Sequence, residues 1–150
     1  MKILSLIFTI LLTSVFSNAL TLEDVRLNYQ SAVKEKNICR SMILYLEKNP
    51  GSNVYLAYLG AFQTIWANHT FNPIDKINTF NKGKINIEKA VKLSPNDVEI
   101  IFIRHSVQKN CPGFLGYNDN LIEDKLFINK NRGSITSPNL NSMVDKLLND

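Results

Sequence analysis

Three prolines in this chain stand directly behind a small hydrogen-bond acceptor and just ahead of a helical pattern: Asn72-Pro73, Ser94-Pro95 and Ser137-Pro138. Proline at the first helical position loses nothing, because the N–H it lacks would have no helical partner there, and its fixed φ suits a helix. The residue before it can cap the first turn, and Asp75 and Asp97 add a carboxylate near the positive helix end. Thr21 with Asp24, and Asn120 with Glu123, have the spacing of two more capped starts. Pro50-Gly51-Ser52-Asn53 stops one helix and offers caps for another. Alternation of the strand type is absent. These signals predict an all-α chain, with helices near 22–35, 38–48, 53–67, 73–93, 96–109, 120–130 and 138–148.

Apolar patterning ranks those helices by depth. Helix 53–67 carries Leu56, Leu59, Phe62 and Trp66 on one side and Val54, Ala57, Ala61 and Ile65 on the other. Helix 96–109 contains Ile100-Ile101-Phe102-Ile103. Both are apolar on more than one face, so both are expected at the centre. Helix 73–93 is one-sided: Phe80, Gly83, Ile87, Ala90 and Val91 make its buried stripe. Lys82, Lys89 and Lys92 face water, and Glu88 stands four residues before Lys92 as a favourable pair.

The N-terminus has a different character. Lys2 precedes an apolar run, ILSLIFTILLTSVF, and Ser17 and Ala19 put small residues three and one positions before a cleavage point. This is the pattern of a secretory signal peptide, residues 1–19, and the run is short of the roughly 20 apolar residues of a spanning helix. The expected product is a single domain, 20–150, without a transmembrane segment, in the periplasm or secreted. Losing Lys2 takes the net charge from +4 to +3, and the cations are interspersed with carboxylates. Neither export nor that mild charge fits a nucleic-acid partner. Two cysteines remain, Cys39 and Cys111, which an exporting compartment can join or the core can bury separately.

Gly83 and Ala90 are small residues seven apart with bulky Ile87 between them, and Pro95 follows five positions later. This resembles the second helix of a tetratricopeptide (TPR) repeat. Leu59-Gly60 falls where that family has its Leu-Gly pair in the first helix, Leu56 takes the place of its usual Trp, and Tyr29 matches an aromatic position one repeat earlier. The resemblance spans about residues 21–108, with an insertion, WANHTFNPIDK, between the paired helices. It implies a TPR-like stack of antiparallel helix pairs, a short α-solenoid. The segments LEKNPGSNVYLAYLGA, NHTFNP, FNKGK and FLGYNDN are also similar to a family of uncharacterised secreted bacterial proteins, which carries no activity with it.

Chemistry-bearing patterns are sparse. The chain has two histidines, His69 and His105, and neither has a second metal ligand one helical turn away. No nucleotide, cofactor or hydrolase fingerprint is present, so no cofactor, metal or catalytic residue is expected. The Asn118-Asp119-Asn120 run lacks the glycine and final Glu of a calcium loop and reads as helix capping. Two irregular segments, ANHTF and CPGFLGYND, concentrate aromatic and hydrogen-bonding groups. They follow equivalent helices in the solenoid register and are therefore expected side by side. The expected recognition edge comprises Trp66, His69, Phe71, Asn72, Phe114, Tyr117 and Asp119, with Phe114 and Tyr117 against Trp66 or Phe71. The resemblance implies a non-enzymatic module binding a protein or peptide. The alternative is a small hydrolase or ligand-binding protein using His69 and Asp119. N-terminal sequencing of the exported material is expected to start at Leu20, and an intact Met1 form retained in the cytoplasm would contradict the signal peptide.

Overall fold

The computed structural model describes residues 19–149; residues 1–18, which hold the expected signal peptide apart from Ala19, and residue 150 lie outside the described residues. Every regular element among the described residues is helical: α1 (Leu22–Ala32), α2 (Lys36–Lys48), α3 (Asn53–His69), α4 (Pro73–Leu93), α5 (Val98–Asn110), α6 (Leu121–Asn131) and α7 (Pro138–Asn149). Short 3-10 turns sit at Gly113–Leu115 and Arg132–Ser134. No helix among the described residues is long and apolar enough to cross a membrane.

The starts of α1, α4 and α7 follow their caps. Thr21 accepts from the Asp24 N–H while the Asp24 carboxylate accepts from the Thr21 N–H, a reciprocal box. Asn72 accepts from the Ile74 N–H at 2.9 Å, and Ser137 from the Leu140 N–H at 3.1 Å. Two other expected caps are corrected. Helix α5 starts at Val98, because Asp97 accepts from both the Glu99 and Ile100 N–H groups. Ser94 instead closes α4, and its hydroxyl accepts from Asn53 at 2.8 Å. Asn120 precedes α6 without capping it, because its side chain accepts from the Gln108 amide at 3.2 Å.

Helices α1, α3 and α5 run in the same direction. Asn53 reaches Ser94 and Tyr58 reaches Glu99, each pair 41 residues apart, so α3 and α5 rise together. Arg26 reaches Glu99 and Tyr29 reaches Ser106, which aligns α1 with α5 in the same sense. Helix α2 packs on α1 and α3, α4 packs on α3 and α5, and α6 packs on α5. Lys82 of α4 pairs with Glu47 of α2 across the second row. The expected depth order holds: α3 and α5 are buried through most of their length, and α4 buries Phe80, Gly83, Ile87 and Ala90. The expected Glu88–Lys92 pair is replaced, since Glu88 turns to Arg104 of α5 and to the Tyr117 hydroxyl.

Helices α3 and α4 run antiparallel and meet closely through two glycines. A Cβ on Gly83 would lie 2.4 Å from the Gly60 carbonyl oxygen, and one on Gly60 would lie 2.6 Å from the Gly83 carbonyl oxygen. Both obstructions are backbone, so no side-chain rotation relieves them. Gly83→Ala is expected to destabilise the chain by about 3 kcal/mol, at the upper end of overpacking costs. Exposed Lys89→Ala is expected to stay within about 0.5 kcal/mol in the same thermal melts. Equal effects would mean that the glycine contact is not there.

Candidate functional site

Four of the seven expected recognition residues gather where α3 ends and α4 begins. The rings of Trp66 and His69, three residues apart and so on one helical face, lie 5.9 Å apart. Lys36, at the start of α2, holds its ammonium 5.3 Å from the Trp66 ring centre and 5.9 Å from that of Phe71. A cation over an exposed aromatic face contributes about 0.5–1 kcal/mol. His69 Nε2 lies 2.8 Å from the Ala32 carbonyl oxygen, to which it donates, tethering α3 to the end of α1. Thr70 donates to the Trp66 carbonyl at 3.0 Å, and Asn72 then caps α4.

The first turns of α4 project from the body. Every residue from 71 to 78 is exposed, including Phe71 at 95 %, Ile74 at 69 % and Ile77 at 51 %. Single exposed apolar residues are ordinary, but here three fall within seven residues of one exposed segment.

The shared edge with CPGFLGYND is corrected. The Tyr117 ring meets Phe80 at 6.1 Å with Lys84 above it at 4.8 Å, and its hydroxyl donates to Glu88 at 2.6 Å. Those anchors begin seven residues into α4, about 10 Å along its axis from Pro73 at 1.5 Å per residue. Tyr117 is therefore a buried strut on the flank of α4 and not a partner of Trp66 or Phe71. Phe114 is 86 % exposed, too open to be packed against either ring, and Asp119 is exposed as well. Gly116 makes the bend that carries Tyr117 inward, with φ of +57°.

Two buried ion-pair networks do not follow from the periodicity. Arg26 donates from Nε and Nη2 to the two oxygens of Glu99 at 2.7 and 2.5 Å, and it also reaches Glu23. The Tyr58 hydroxyl donates to the same Glu99 at 2.7 Å. The hydrogen bond to Glu99 holds the Arg26 guanidinium above its ordinary pKa. Arg104 makes an equivalent fork on Asp124, at 2.8 and 2.6 Å. His105 beside it is buried, its Nδ1 has no hydrogen-bond partner, and burial lowers its pKa, with Lys109 and Lys125 opposing the pull of Asp124. One signal in the sequence pointed here: Glu99 and Arg104 bracket Ile100–Ile103 on a helix apolar all round, and buried charges need partners.

The cysteines do not join. Cys39 is buried and donates to the Phe62 carbonyl at 3.3 Å, and burial pushes its thiol pKa up to about 12. Cys111 ends α5 and donates to the Tyr117 carbonyl at 3.2 Å. Its thiol is also raised, by burial first. Among the described residues no cluster of His, Cys, Asp and Glu has the makings of a metal site. An open cavity of about 320 Å³ lies between the start of α5 and the segment entering α7, lined mostly by polar groups that include Arg26, Asp97, Glu99, Thr136 and Ser137.

No family model matches the chain, and searches of curated proteins and of solved structures return no match. Trp66 is the only tryptophan, so its emission reports on the α3–α4 end. Lys36→Ala is expected to shift Trp66 emission with the helical circular dichroism unchanged, whereas Tyr117→Phe, which keeps the ring, leaves it alone. A Trp66 response to Tyr117→Phe but not to Lys36→Ala would invert this map.

Proposed function

We propose that this chain is an exported, non-enzymatic module, a short TPR-like stack that binds a protein or peptide at the Trp66–Ile77 end. The repeated offset of 41 residues between α3 and α5, and the small-residue contact of Gly60 with Gly83, support the stack. The binding reading rests on one observation: Phe71, Ile74 and Ile77 are exposed where α4 begins, uncovered by anything among the described residues, and the Lys36 ammonium stands over the Phe71 ring. Leaving that surface exposed is unfavourable by about 25 cal/mol for each Å² of apolar area, and a partner removes the penalty. The cation beside it selects the chemistry. The fitting ligand is a short segment carrying an aromatic or aliphatic side chain next to a carboxylate, because both halves of the surface are then satisfied.

The hydrolase reading requires His69 as a base. Its Nε2 is already held by the Ala32 carbonyl, and Asp119 sits on a segment whose anchor, Tyr117, lies along the flank of α4. That arrangement favours a positioned scaffold residue over a proton carrier. A random-peptide display library panned on the immobilised mature chain tests the proposal. Enrichment of sequences pairing an acidic with a large apolar residue is expected, and Phe71→Ser with Ile74→Ser should abolish it. A library that does not enrich, or enriches equally on the double variant, would end the proposal.

A further inference from the structure

Of the polar side chains that α5 buries, all but one are matched. Glu99 takes Arg26 and Tyr58, Arg104 takes Asp124 and Glu88, and Gln108 pairs with Asn120. The exception is His105, which is only 4 % exposed and whose Nδ1 is buried without a hydrogen-bond partner. It stands one turn after Ile101 and one turn before Lys109, and so shares their face. Lys109 reaches the Leu147 carbonyl of α7, while Arg104 and Gln108 on the neighbouring flank reach Asp124 and Asn120 at the start of α6. The imidazole is enclosed where α5, α6 and α7 meet.

A neutral ring fits this place. With its proton on Nε2, Nδ1 is a bare acceptor, and one unsatisfied neutral acceptor costs far less than a buried charge. A second proton makes both nitrogens donors and the ring a cation, and Nδ1–H then has no acceptor. The charged groups nearby do not compensate. On α6, Asp124 attracts the imidazolium, but both its oxygens already hold the Arg104 fork, and Lys125 repels it. On α5 itself Lys109 repels it, and Glu99 near the helix start is taken by Arg26 of α1. Helix α4 offers Glu88, which Arg104 and the Tyr117 hydroxyl occupy, and α3 carries no Asp, Glu, Lys or Arg. On α7, Asp145 is exposed and paired with Arg132, beside exposed Lys146.

Burial is the main reason the His105 pKa lies below the ordinary histidine value, so the folded chain resists a proton that the unfolded chain accepts. The unfolded state therefore binds more protons in mild acid. Stability is complete above the unfolded value of about 6.5, and it falls as pH drops through that value until the folded one is passed. Glu23 and Asp24, held low by their partners, act in the same direction, but only near pH 4, where free carboxyls take up protons. The other histidine, His69, donates from Nε2 to the Ala32 carbonyl and keeps that bond when charged.

We propose that His105 is an acid-sensitive latch in the core: the neutral ring lets α5, α6 and α7 close over it, and its protonation loosens the fold in mild acid. The latch lies apart from the Trp66 end, so either reading can fail without the other.

Two measurements on the full mature chain test it. The imidazole Hε1 signals of the two histidines are followed by NMR between about pH 8 and pH 5, with His69→Gln assigning them, and His105 is expected to titrate below the ordinary value of about 6.5. Thermal melts are then compared at about pH 7.5 and pH 5. The Tm of the unaltered chain is expected to fall by at least about 3 °C more than that of His105→Gln, and to recover when neutral pH is restored. His69→Gln should keep the full drop. An equal drop in the unaltered chain and His105→Gln would overturn the latch. So would a His105 signal that titrates at or above the ordinary value while the chain is folded. If His105→Gln does not fold, that NMR titration of the unaltered chain decides alone.

Discussion

Glu99 is the charge around which three helices are arranged. It sits on α5, buried, and takes both prongs of the Arg26 guanidinium from α1 and the hydroxyl of Tyr58 from α3. Removing a carboxylate and a guanidinium from water costs several kcal/mol each, and their attraction offsets this only when geometry is good and remaining lone pairs are satisfied. Here both carboxylate oxygens are engaged and the guanidinium has a further carboxylate in Glu23. A pair of this kind adds little net stability over apolar residues of the same size, but an incorrect register would leave it unpaired. Shifting α1 by one residue against α5 would strand Arg26 and Glu99 in a low-dielectric interior, a loss of about 3–5 kcal/mol. The alignment of α1, α3 and α5 is thus specified by polar matching, on top of an apolar core that alone would tolerate sliding.

The glycine contact specifies the second row in a different way. Gly60 and Gly83 let α3 and α4 approach until carbonyl oxygens occupy the space a Cβ would need. That closeness turns Phe80 and Ile87 inward and points Ile74 and Ile85 outward on the opposite arc of a helix with 3.6 residues per turn, while Ile77, one turn before Phe80, is exposed because the first turns of α4 extend past the body.

Much of this was legible in the residues. Caps and prolines mark the starts of α1, α4 and α7, and apolar breadth distinguishes the central α3 and α5 from the one-sided α4. What was not legible depends on competition between hydrogen-bond partners. Ser94 had the position of a cap but Asn53 takes its hydroxyl, and Asn120 had the position of a cap but Gln108 takes its amide. Glu88 had a lysine four residues away, yet the Tyr117 hydroxyl and Arg104 bind it instead. Local spacing identifies which groups can pair, while the fold decides which distant group arrives first. Tyr117 shows the consequence for the candidate site. Its segment was expected beside Trp66 because the preceding helices are equivalent, and its contacts with Phe80, Lys84 and Glu88 hold it along α4 instead.

The same competition also uses up most of the interior's polar groups among the described residues. Most of the strong polar groups in the interior are already matched: Arg26 with Glu99, Arg104 with Asp124, Tyr117 with Glu88, His69 with a backbone carbonyl. A site for acid–base or nucleophilic work needs groups held ready but unmatched, with pKa values moved toward neutrality. The tyrosine hydroxyls Tyr58 and Tyr117 and the thiol of Cys39 are moved the other way, deeper into their neutral forms, by burial. Among the described residues, the buried His105 Nδ1 and Gln63 Nε2 lack partners, and apolar surface stays uncovered at the projecting start of α4. Covering exposed apolar surface of that kind is favourable in free energy.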